Sequence, residues 1–295
     1  MTKRSIAIMC GLFVALFYAL NFTIAKEATP AHIGPFGLSW YRVLGTGAIF
    51  WIVATLAGPK EKVPLKELPL IALAAFCGVG FNMVTFMVGL SLTAPISASV
   101  LMVTTPIIVL LLSYLFLNEH LKLVRVLGIF IGFAGAALLI LSDSSGATAT
   151  AKNPLLGNIL IFVNALSYSF YIILAKKLTK KYHVLTLMKW LYLFGILFIT
   201  PFGIQEGLAF SWVDSSLYVI MCIGYVVLFS TFGTYMLNII AIKNLRPSTV
   251  AVFIYLQPLI ATTVAVGWGK DDLTITKAVA GALIFCGVYL TSKKG

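Results

Sequence analysis

Ten long apolar stretches divide the chain, separated by short breaks that carry most of its charge. A helix crossing the hydrocarbon core of a bilayer needs about 20 predominantly apolar residues. Stretches 5–25, 35–57, 68–90, 95–117, 123–142, 155–178, 184–203, 214–240, 247–268 and 275–292 have that length or nearly so. The breaks between them leave no room for a soluble domain. The pattern predicts an all-α integral membrane protein of ten transmembrane helices.

Composition agrees with that reading. Of the 295 residues, 60% are hydrophobic and only 10% charged, whereas a soluble domain carries about 25% charged residues. The net charge of +12 would point to nucleic acid in a soluble protein; here its placement along the chain matters more. With the N-terminus in the cytoplasm, sixteen of the 21 basic residues fall on the cytoplasmic side, from Lys3 and Arg4 through Lys176, Lys177, Lys180 and Lys181 to Lys293 and Lys294. Lys26, Lys152, Lys270 and Lys277 fall outside, and Arg42 lies within the second span. Basic residues mark cytoplasmic loops, so both termini are expected inside. Lys3 and Arg4 before an apolar run also resemble a signal peptide, but the run is long and lacks a small-x-small cleavage site, which makes it an uncleaved first helix. Cys10, Cys77, Cys222 and Cys286 are scattered with no C-x-x-C spacing and read as small core residues.

The chain is also written twice. "FYALNFTIAKE" (17–27) is echoed by "SYSFYIILAKK" (167–177), which sets Tyr18 against Tyr168, Asn21 against Tyr171 and Lys26 against Lys176. Trp40 pairs with Trp190 and Gly45 with Gly195 at the same offset. After a slip of two residues, Pro95 pairs with Pro247, Pro106 with Pro258, Glu119 with Asp271, Leu121 with Leu273 and Gly135 with Gly287. Each copy (1–147 and 148–295) holds five spans. Five is odd, so the second copy enters the membrane from the opposite side. Such inverted five-helix repeats are a signature of secondary transporters, whose substrate site lies near the midplane between the repeats.

Pro95, Pro106, Glu119, Leu121, Gly128, Gly132 and Gly135 in the first half, with Pro247, Pro258, Asp271, Leu273 and Gly287 in the second, resemble the drug/metabolite transporter superfamily, EamA branch. Gly269, Lys270 and the pair Asp271-Asp272 depart from its usual glutamate-centred text. The resemblance implies a multi-pass carrier of the cytoplasmic (inner) membrane for small organic metabolites, many bacterial members being exporters of amino acids. It also implies a cavity built mainly by spans 1, 3, 4, 6, 8 and 9.

Polar groups inside a bilayer are costly and mark candidate sites. All nine acidic residues and the three histidines fall in loops or at helix ends, so no buried carboxylate is available as a proton switch. Arg42 either offers its fork of donors to a substrate carboxylate or phosphate, or snorkels or bonds a neighbouring helix. Asn21, Asn82, Asn164, Asn238 and Gln257 either line a cavity or hold helices together. Thr105 flanks Pro106, and Gln257 precedes Pro258, where the prolines are expected to kink their helices and free backbone groups. Tyr18, Phe86, Tyr168, Tyr171, Tyr235 and Tyr255 suit an amphipathic ligand, with ordinary packing as the alternative. Gly128, Gly132 and Gly135 allow close helix approach within the fold or between protomers.

No constellation for catalysis occurs at depth, so an enzyme is not expected. A channel would want symmetric pore rings, and a non-transporting sensor or scaffold is the remaining alternative. The expected function is transport by alternating access of a small metabolite, an amino acid or related compound, with export favoured. A carrier of phosphorylated or nucleotide-type metabolites is the runner-up. The expected partners are this small molecule and the lipid bilayer, with no nucleic acid, cofactor or metal, and a monomer is favoured over a dimer.

Overall fold

The computed structural model describes residues 3–117, 123–142, 151–244 and 247–292. Helix α1 is Lys3–Ala28 and α2 Pro35–Ala57. The third span comprises α3 (Leu68–Ala75), a π-helical turn at Phe76–Gly80, and α4 (Phe81–Leu92). The fourth comprises α5 (Pro95–Met102) and α6 (Thr105–Leu117). Next come α7 (Leu123–Ser142), α8 (Pro154–Leu178) and α9 (Val184–Ala209). The eighth span is α10 (Leu217–Tyr225), a second π-helical stretch at Val226–Gly233, and α11 (Thr234–Asn244). The last two helices are α12 (Pro247–Gly267) and α13 (Ile275–Ser292).

Eight of these segments are long and apolar enough to cross a membrane, and Leu256–Gly267 and Ile275–Leu290 are shorter apolar helices. Large apolar side chains such as Leu56, Phe130 and Leu208 stand on the outer surface, as a lipid-facing wall requires. Proline opens α2, α5, α8 and α12, where its missing N–H costs no intrahelical bond. Asn153 caps α8 by accepting from the Leu156 amide at 3.2 Å, and Ser216 caps α10 through Val219.

Three expectations shift. Span four breaks at Val103–Thr104, just ahead of Pro106, whereas α12 runs on through Pro258. The seventh span, expected over 184–203, runs further: α9 carries Pro201 inside it and continues to Ala209, and its Glu206 carboxylate accepts the Gly37 amide in the first turn of α2 at 2.8 Å. Cys286 is exposed on α13, unlike buried Cys10 and Cys222.

Packing is reciprocal about the chain's midpoint. Helix α2 lies along α9, and α7 along α13. Helix α1 packs on α10, α11 and α12, just as α8 packs on α3, α4, α5 and α6. The α7–α13 contact explains the glycine stripe: a β-carbon on Gly287 would meet the Gly132 amide nitrogen at 2.5 Å and the Gly128 carbonyl at 2.6 Å. These glycines therefore serve contact within the fold.

At the end of the bundle where α1 stops, Asp271 joins α5 to α13. Its carboxylate accepts the Ile96 amide at 3.0 Å and pairs with Lys277 at 2.6 Å. The two side chains are only 5% and 8% exposed. Breaking one partner of a buried pair costs about 3–5 kcal/mol. Asp271→Asn is therefore expected to lower the melting temperature of the detergent-solubilised protein. Adding Lys277→Met should restore most of the loss, because it removes the stranded charge. Glu119, the counterpart of Asp271 in the first half, lies outside the described residues with His120 and Leu121.

Candidate functional site

The buried apolar residues form two clusters. One gathers Phe22, Leu38, Phe86, Met87 and Ile107; the other gathers Val43, Phe50, Met83, Tyr171 and Tyr192. Consecutive turns of α2 and α4 contribute to both, so a seam runs between them.

Arg42 sits between Leu38 and Val43 on that seam and is 1% exposed. Its Nε donates to Thr231 Oγ1 at 2.5 Å, and its guanidinium carbon stands 5.8 Å from the centre of the Phe86 ring. The side chain therefore points into the bundle and does not snorkel to the surface. Thr231 in turn donates to the Val226 carbonyl at 2.7 Å. Among the described residues no carboxylate pairs with Arg42. The charge is held by one hydroxyl and one aromatic face.

The two π-helical stretches border this seam. A π-bulge widens the helix and leaves carbonyls outside the regular ladder, often at functional sites. Here neighbouring helices supply donors. Ser167 donates to Cys77 O at 2.7 Å and Tyr235 to Gly78 O at 3.0 Å. In the other stretch Thr46 donates to Val227 O at 3.2 Å. Gly78 is obligatory for packing, since a β-carbon there would enter the Tyr171 ring.

Aromatic candidates converge on the same region. The Tyr18 ring meets Phe86 edge-on at 6.2 Å, and Tyr168 lies 5.6 Å from Tyr171. Tyr235 meets Tyr192 at 5.7 Å. Tyr18, Tyr168 and Tyr235 keep accessible surface although they sit at mid-span. Arg42 lies within electrostatic reach of Tyr192, and so do Tyr18, Tyr168 and Tyr171.

The amides divide. Asn82 and Asn164 tie their helices together: Asn82 Nδ2 donates to Asn164 O at 3.2 Å and Asn164 Nδ2 to Asn82 O at 2.6 Å, while Asn164 Oδ1 has no partner among the described residues. This fastens α4 to α8. Asn21 is fully buried, and neither its oxygen nor its nitrogen finds a partner among the described residues. Thr105 donates within its own turn to Met102 O at 2.7 Å. Gln257 is buried beside Pro258 on α12. The Tyr255 backbone belongs to α12, and its side chain is outside the described residues.

Three groups escaped the sequence reading. Thr231 holds Arg42, and the fully buried hydroxyls of Tyr192 and Ser230 have no partner among the described residues. Tyr192 follows Trp190 within an unbroken apolar helix, and Ser230 and Thr231 lie in a run that reads as ordinary span; spacing alone gives neither away. An apolar groove of about 470 Å³ between α2 and α10, lined by Tyr41, Gly45 and Val227, offers almost no polar atom to a solute.

Residues 5–141 and 155–293 each match the EamA-like transporter family. An uncharacterized transporter of Archaeoglobus fulgidus is 25% identical over 285 residues, covering 95% of this chain and 94% of the relative. The uncharacterized inner membrane transporter YedA of Escherichia coli K12 is 28% identical, covering 100% and 94%. The uncharacterized transporter YdfC of Bacillus subtilis is 25% identical, covering 98% and 90%. A solved crystal structure superimposes with a TM-score of 0.64 over 97% of this chain and 96% of its own, at 18% identity, and so shares the fold. With both halves matched, the chain belongs to the EamA-like transporter family.

Proposed function

We propose that the protein is a secondary transporter that moves a small carboxylate-bearing metabolite, an amino acid or close relative, across the membrane by alternating access. The observation that carries this reading is Arg42: a guanidinium buried two turns inside α2 with no acidic partner among the described residues. A buried cation normally has a partner, and here the substrate's carboxylate supplies it. Asn21 on α1, Tyr192 on α9 and Ser230 in the second π-helical stretch add buried polar atoms without a partner among the described residues, and Tyr18, Phe86 and Tyr168 offer aromatic faces to the apolar body of the solute.

Alternating access rests on the doubled chain, with repeats at 1–147 and 148–295. The two π-helical stretches begin 150 residues apart, at Phe76 and Val226, the same offset as Tyr18 and Tyr168. The reciprocal packing of α1 and α8 supports two halves of opposite orientation, and the placement of Lys and Arg supports both termini on the cytoplasmic side. Exchanging the arrangements of the halves turns a cavity at the seam from one side to the other. The E. coli relative named an inner membrane transporter favours the cytoplasmic membrane. Export is the direction favoured by the resemblance.

A thermal-stability screen of the purified protein against amino acids, nucleotides and sugar phosphates tests the substrate class. A ligand at 100 times its Kd stabilises the native state by about 2.7 kcal/mol. Amino acids should raise the melting temperature. A response to sugar phosphates or nucleotides alone would replace the carboxylate by a phosphate. Asn21→Ala and Tyr168→Ala are expected to lower flux several-fold in proteoliposomes with membrane insertion intact; unchanged flux in both assigns them to packing.

Among the described residues, no carboxylate lies at mid-span to take up a proton. Flux is therefore expected to persist when the proton gradient is collapsed and the substrate gradient retained. Abolished flux under those conditions would contradict a facilitator or exchanger.

A further inference from the structure

Sequence placement makes Lys26 an interfacial anchor, yet its side chain turns inward. Its ammonium donates to the Leu90 carbonyl at 2.9 Å and to the Thr93 carbonyl. These acceptors bring no negative charge, and an ammonium has three N–H donors, so one is left over. Asp271, within electrostatic reach of Lys26, is already committed to Lys277 and the Ile96 amide.

Lys26 forms part of the wall of a pocket of about 250 Å³ at this end of the bundle, together with Thr23, Glu27, Ser91, Lys152 and Lys270. Lys270 pairs with Glu27 at 2.8 Å. Three ammonium groups against one carboxylate leave the pocket two charges positive. Three of the four basic residues assigned to the outer side of the membrane thus line one hollow. Thr23 is fully buried and its hydroxyl has no partner among the described residues, so the pocket wall also holds an unused polar atom. Its volume is below the about 300–1,000 Å³ of sites for drug-sized ligands, which suits a metabolite of amino-acid size.

We infer that this pocket is a second solute site, an outer subsite for a small anion bearing a carboxylate or phosphate group, separate from Arg42. Lys26, Lys152 and the Thr23 hydroxyl hold the anionic oxygens. The Glu27–Lys270 pair, which links α1 to the segment after α12, forms one rim. Binding here stands on the pocket alone; only its role as the station at which solute arrives or leaves rests on the transport reading.

The test is equilibrium titration of the purified full chain with L-glutamate and, separately, inorganic phosphate, in detergent and in nanodiscs with or without phosphatidylglycerol. Wild type is compared with Arg42→Met, Lys152→Gln and Thr23→Val. Saturable binding should persist in Arg42→Met. It should weaken at least tenfold in Lys152→Gln, an exposed position whose replacement should leave the unliganded melting temperature unchanged. Thr23→Val should weaken it several-fold, and raised salt should weaken it in all variants. If binding vanishes in Arg42→Met, or is unaffected by Lys152→Gln and Thr23→Val, the outer subsite is overturned. If neither free anion binds and only phosphatidylglycerol changes the protein's stability, the pocket is a lipid-headgroup site and the inference of a solute site fails.

Discussion

Arg42→Met is expected to cut transport to about one-hundredth of wild type or less while the protein folds as well as before, or better. A hydrogen bond to a charged group contributes about 1.5–3 kcal/mol, and every 1.4 kcal/mol is a factor of ten. Loss of an Arg–carboxylate anchor thus accounts for a hundredfold fall without any other contact. The stability arm separates function from architecture. Arg42 is 1% exposed and bonded to a single hydroxyl, so without substrate its desolvation is poorly offset. Replacing buried charge by an apolar side chain of similar volume is often neutral or stabilising. A structural Arg42 would instead give a lower melting temperature together with lost flux. Arg42→Lys should retain only part of the activity, because the ammonium is a point charge without the planar fork.

Gly287→Val is expected to have the largest effect on folding itself. The added β-carbon would stand 2.5–2.6 Å from the Gly132 amide nitrogen, the Gly132 α-carbon and the Gly128 carbonyl. Backbone atoms of α7 cannot step aside as a side-chain tip can, so α7 and α13 must separate along the contact. Overpacking a core costs about 1–3 kcal/mol even where neighbours yield, and here they do not. The variant should lose the monodisperse peak in size-exclusion chromatography. Gly224→Ala is the control, since nothing lies within 4 Å of its added β-carbon. That substitution should be neutral or stabilise by up to about 1 kcal/mol, the propensity difference of alanine over glycine.

Much of the architecture is legible in the sequence. Apolar length located the helices, because in lipid the backbone must close its own hydrogen bonds. The Gly128–Gly132–Gly135 stripe foretold a close helix contact, as small residues let backbones approach. The site was only partly legible. Sequence gives the type of a polar residue but not its partner. In the sequence Asn82 and Asn164 are indistinguishable from Asn21, yet the amide nitrogens of the first two bond each other's helices and the third has no partner among the described residues. The π-helical stretches left no signal in residue type. They depend on donors from elsewhere, Ser167, Tyr235 and Thr46, which only the packed bundle brings near. Thr231 is silent in the sequence for the same reason: its importance lies in holding Arg42.

Counterflow of labelled amino acids into proteoliposomes tests the central claim most directly. Vesicles preloaded with the unlabelled substrate should transiently accumulate label above its external concentration. Empty vesicles should only equilibrate, and Arg42→Met should do neither. Only a carrier whose loaded central site faces each side in turn couples the two fluxes. Uptake indifferent to the internal load would identify a channel-like path, and no uptake of any amino acid would contradict the proposed substrate class.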